Sequence, residues 1–88
     1  TTLNWADYVF SENYRLRTLA EVEAFIKTYR HLPGVPSAET LQADGVDVSK
    51  MQALMMEKIE ELTLYLIEAN KKIEALNTEL KSLKENKN

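Results

Sequence analysis

The chain has no cysteine, so no disulfide can staple it and the redox compartment stays open. Its only histidine is His31, which excludes the four-ligand Cys/His set of a structural zinc site. No run of 18 apolar residues occurs, so no segment reads as membrane-spanning and no membrane insertion is expected. Basic charge is scarce in both halves. Residues 1–46 carry 4 basic and 6 acidic side chains, and residues 47–88 carry 7 and 8. That balance lacks the electrostatic footprint of a nucleic-acid binder. Glycine and proline are confined to Pro33, Gly34, Pro36 and Gly45, so nothing interrupts a helix beyond residue 45. Aromatics are lopsided: after Tyr29 only Tyr65 remains. No pairing of nucleophile, base and orienting group stands out, so the chain is not read as an enzyme, and no cofactor is expected.

What is present is a heptad seam. Gln52, Ile59, Leu66, Ile73, Leu80 and Lys87 fall at a; Met55, Leu62, Ala69, Leu76 and Leu83 fall at d. Nearly five heptads of this pattern predict a coiled coil, with a helix running from Ser49 or Lys50 to about Glu85. A lone helix would leave its seam in water, so the expected partner is another copy of the chain. Met55, Ile59, Leu62, Leu66, Ala69, Ile73, Leu76, Leu80 and Leu83 are the expected oligomer interface. Glu79 at g and Lys84 at the following e would pair between parallel neighbours. The a positions alternate Ile and Leu instead of staying β-branched, which favours three strands over two.

The helix has two regimes. Between Met51 and Ile67 it carries apolar residues off the seam: Met51, Leu54, Met56, Leu64, Tyr65 and Ile67. Beyond Ile67 those positions are polar except Ala75. A broad apolar surface needs a cover, and residues 1–46 are the material available. They are expected to form a collar on the start of the long helix, with Trp5, Tyr8, Phe10, Val22, Phe25, Ile26 and Tyr29 packing inward. Within the collar, residues 3–17 read as an extended or turn segment. A helix over 18–31 starts at the capping box Thr18–Glu21. The stretch from His31 to Pro36 is a rigid turn, and a short helix over 37–44 is capped by Ser37 and ended by Gly45. Ser49 with Gln52 offers a capping box for the long helix, and Asp47 competes with it. The fold class is therefore mainly α, a parallel coiled-coil oligomer with an N-terminal collar over 1–46 and a long helix over 47–88.

Four strings carry a resemblance: Trp5-Ala6-Asp7-Tyr8-Val9-Phe10, Leu19-Ala20-Glu21-Val22-Glu23, His31-Leu32-Pro33-Gly34-Val35-Pro36-Ser37-Ala38 and Lys58-Ile59-Glu60-Glu61-Leu62-Thr63-Leu64-Tyr65. Together they are similar to the C-terminal module of secreted, surface or tail-fibre-like proteins of Bacteroidota and their phages. That module is loosely analogous to the intramolecular chaperone domains that end phage tailspikes. The resemblance implies an assembly role at the end of a fibre, with upstream fibre sequence as a further partner. It implies an extracellular, cell-surface or virion location. Starting at Thr1 without methionine, the chain reads as a piece of a longer protein.

Two alternatives remain at this stage. Trp5 and its aromatic neighbours could bind a glycan or receptor. The tailspike analogy also suggests self-cleavage at a serine near the module boundary. Ser11 is the serine there, but its surroundings echo the cleavage motif only vaguely, and it reads first as a turn residue. His31 reads as a helix C-terminal residue, and Met51, Met55 and Met56 as packing residues.

Overall fold

The computed structural model describes residues 6–86. Four helical segments follow one another: a 3₁₀ helix at Ala6–Phe10, then α1 at Leu19–Tyr29, α2 at Ala38–Asp44 and α3 at Val48–Glu85. No strand occurs among the described residues. The fold is thus mainly helical and dominated by its C-terminal helix, as the periodicity predicts. At about 1.5 Å per residue, the 38 residues of α3 set the 66 Å length of the molecule.

Local chemistry explains each boundary. Thr18 begins α1 with both halves of the capping box: the Glu21 amide donates to its hydroxyl at 3.1 Å, and its own amide donates to the Glu21 carboxylate at 3.1 Å. Those bonds hold the Glu21 carboxyl below the usual carboxylate range, with the Thr18 amide as the larger cause. The helix ends at Tyr29, two residues before the predicted end, with Arg30 as its cap. Arg30 takes the left-handed conformation at φ 64° and sends its amide to the Ile26 carbonyl at 2.8 Å. That is an αL cap without glycine. His31 lies beyond it, donates from Nδ1 to the Leu32 carbonyl at 3.0 Å and packs edge-on against Phe25 at 5.3 Å.

Gly34 supplies the positive φ of 78° that the turn between the prolines requires. Ser37 caps α2 by accepting from the Thr40 amide at 3.2 Å. Gly45 ends α2 at φ 82°, but its ψ of −177° is extended and not left-handed helical. Asp47, and not Ser49, caps α3, because its carboxylate accepts the Lys50 amide at 3.2 Å.

Residues 6–14 depart from the extended reading. Ala6–Phe10 winds into one 3₁₀ turn, and two further turns follow, with the Ser11 amide on the Tyr8 carbonyl and the Tyr14 amide on the Ser11 carbonyl, each at 3.1 Å. The reason is a repeat of three. A 3₁₀ helix eclipses residues i and i+3, and Ala6 and Val9 are the two side chains of this segment that are buried. The segment folds so that this pair faces α3, and its contact with α3 is the principal tertiary contact.

Candidate oligomerisation surface

Around α3 the heptad positions follow the order a, e, b, f, c, g, d. The 3₁₀ segment lies over the b–f–c sector, where Tyr8 reaches Glu57, Tyr14 reaches Glu61, and Asp7 meets Glu60. Further along the g flank, the Tyr65 hydroxyl donates to the Arg17 carbonyl at 2.7 Å and ties in the start of α1. A groove of about 110 Å³ follows, between Leu19, Val22, Leu32 and Pro33 of the collar and Lys58, Glu61, Leu62 and Tyr65 of α3. The collar therefore covers b, f, c and g, and it ends beside Leu62 at d.

The remaining sector is the seam, and it is bare. Met55, Ile59, Leu62, Leu66, Ile73, Leu76, Leu80 and Leu83 are 52–71 % exposed, and Ala69 is exposed with them. All nine seam residues expected at an interface thus lie on one open stripe. Off the seam, Met51, Leu54, Met56, Leu64 and Tyr65 are partly covered, whereas Ile67 is exposed.

The clamp on the back of α3 is polar. Glu60 and Glu61 are 6 % and 7 % exposed, under a cover only one layer thick. Lys58 bridges Glu57 at 3.2 Å and Glu61 at 3.0 Å. One ammonium cannot serve three adjacent carboxylates, so the tyrosines supply the other donors. The Tyr8 hydroxyl donates to Glu57 and the Tyr14 hydroxyl to Glu61, and the two rings lie 5.9 Å apart. The bond to Glu57, and then burial, push the Tyr8 hydroxyl up to about 12. Burial first, then the bond to Glu61, raise Tyr14 in the same direction. Tyr65 is raised by burial, with the Glu61 charge adding to it.

Glu60 is the exception. Its Oε1 is buried without a hydrogen-bond partner. Burial, and then the Asp7 carboxyl beside it, raise its pKa. No cluster among the described residues has the makings of a metal site.

The expected collar residues are distributed unevenly. Trp5 lies outside the described residues. Tyr8 is half exposed and held by its hydroxyl. Val22 and Phe25 are partly covered, while Phe10, Ile26 and Tyr29 are exposed. Phe25 and Tyr29 pack on one another at 4.6 Å, next to His31. Ser11 serves as a turn residue, with its hydroxyl accepting the Asn13 amide at 3.4 Å. The residues that sequence reasoning passed over are Ala6 and Val9, Tyr14, and the carboxylates of Glu57, Glu60 and Glu61. The available signal was a pair of tyrosines, at 8 and 14, and a pair of glutamates, at 57 and 61, on segments expected to pack together.

No protein-family model, no curated protein and no solved structure matches the chain.

Proposed function

We propose that the chain is an assembly module whose copies associate in parallel along Met55–Leu83, with three strands favoured over two. The observation that carries this reading is the division of α3. The collar covers four of the seven heptad positions and leaves a continuous stripe of large apolar side chains open for the rest of the helix. A contiguous exposed apolar surface of that length marks an association site. Its period of 3.5 residues fits an α-helix of the same kind. The Glu79–Lys84 spacing supports the parallel arrangement, which also lets every collar sit at the same end. On the resemblance to fibre-end modules, the biological role is to hold together and register the C-termini of a fibrous surface or tail-fibre-like protein, outside the cell or on a virion.

Sedimentation at tens of micromolar tests the reading. The wild type is expected as an oligomer. Leu66→Asp with Ile73→Asp is expected as a monomer, because each buried Leu or Ile contributes about 1.5–3 kcal/mol and a carboxylate in the seam adds a desolvation cost. A monomeric wild type, or a double variant that keeps its oligomeric state, would refute it.

A further inference from the structure

Among the described residues the groove beside Leu62 has no occupant. It is apolar, lined by Leu19, Val22, Leu32, Pro33, Leu62 and Tyr65. Leu19 and Leu32 stand exposed on its collar side. Leu62 belongs at once to the groove and to the seam, so the two surfaces are continuous. On the other side of the seam, the e–b flank carries a second apolar patch. Ile67 at b is 47 % exposed, although it has no place in the heptad stripe. Thr63 at e donates its hydroxyl to the Ile59 carbonyl at 2.8 Å. With the hydroxyl satisfied inside its own helix, the Thr63 methyl can enter an apolar site without stranding a polar group.

In a parallel coiled coil the g flank of one helix meets the e flank of its neighbour, five residues further along. The groove spans g positions 58 and 65, so the e positions brought against it are 63 and 70, with b position 67 between them. We infer that the groove of each copy receives the partner's Thr63 and the partner's Ile67, so that the collar clamps the adjacent chain as well as its own helix. This inference rests on the parallel assembly proposed above. Groove and patch lie on opposite flanks of one copy. Each contact is therefore head-to-tail, and repeating it around a parallel bundle closes a ring. The contact also gives the collar a role in assembly: a helix paired one heptad out of register would place Glu60 or Glu74, instead of Ile67, against the groove.

The absence of native cysteine makes disulfide trapping a clean test. Leu19→Cys with Ile67→Cys places thiols on opposite flanks of α3, too far apart to join within one chain. Mild oxidation is expected to convert the double variant into disulfide-linked multimers that reduction dissolves, with each single variant far less cross-linked. Leu83→Cys, in the distal seam, is the control for the coil itself and is expected to cross-link between copies. Cross-linking of the control without cross-linking of the double variant would overturn the groove contact and leave the coiled coil standing. Failure of both, with a monomer in sedimentation, would overturn the assembly and this contact with it.

Discussion

At the scale of single residues, the clamp under the 3₁₀ segment is tuned by where protons sit. Tyr8 and Tyr14 are tyrosines and not phenylalanines because Glu57 and Glu61 need donors once covered. Glu60 has no such donor, and its nearest neighbour is another acid, Asp7. Its folded-state pKa is raised, so folding favours the protonated form. The stability it contributes is complete below the ordinary carboxylate range and is lost as pH rises through the raised value. As pH rises through that raised value, the ionised Glu60 works against docking of the collar. Glu60→Gln, whose amide can donate to Asp7, is expected to resist urea better than the wild type at pH 7. The difference is expected to shrink towards pH 4, where the wild-type carboxyl regains its proton. An unchanged or lowered urea midpoint at pH 7 would contradict the orphaned-carboxylate account.

At the scale of elements, α1 and α3 are held by different means. None of the residues of α1 is buried, and its apolar stripe is only half covered at Val22 and Phe25. With 11 residues it is too short to stand on propensity alone. Its stability leans on its ends: the Thr18–Glu21 box and the left-handed Arg30 cap. Thr18→Ala is expected to cost about 1 kcal/mol of α1 stability. Amide exchange should read this as faster exchange across Leu19–Tyr29, with α3 unchanged beyond Leu66. The exposed pairs Lys27–Glu23 at 3.7 Å and Lys72–Glu68 at 3.3 Å add little by comparison, since both partners are solvated. α3 is the reverse case. It has an ordinary cap in Asp47 and no glycine or proline, and its stability as a long helix depends on covering the seam.

At the scale of the whole molecule, the described chain has a core of only Ala6, Val9 and Pro33 besides the polar clamp. A domain this small does not reach useful stability on so little buried area. In the assembly we propose, association supplies the missing burial, and folding and assembly become one equilibrium. The melting temperature is accordingly expected to rise with protein concentration, as mass action requires of a folded oligomer in equilibrium with unfolded monomers. Scanning calorimetry over a hundredfold range of concentration checks this. A concentration-independent transition would mean that a single copy is sufficient.

The sequence by itself determined the long helix, its start within two residues, the nine seam positions, the capping box at Thr18 and the Ser37 cap. These follow from spacing and local hydrogen bonding, which need no knowledge of distant residues. The division of α3 into a covered and an open part was also legible, because off-seam apolar residues stop at Ile67. Only the tertiary structure decided which sector the collar occupies and what anchors it. The anchors are Ala6 and Val9 and a set of carboxylates, and not chiefly the large apolar side chains at Phe10, Ile26 and Tyr29. Surface charge at b, c and f positions ordinarily signals solvent. Glu57, Glu60 and Glu61 depart from that rule because two tyrosines and Lys58, brought from the other segment and from the helix itself, meet most of their hydrogen-bonding needs. Such pairing is non-local, so periodicity carries no trace of it. The same holds for the groove beside Leu62, whose two walls come from residues 25 or more positions apart and exist only once the chain has folded back on α3.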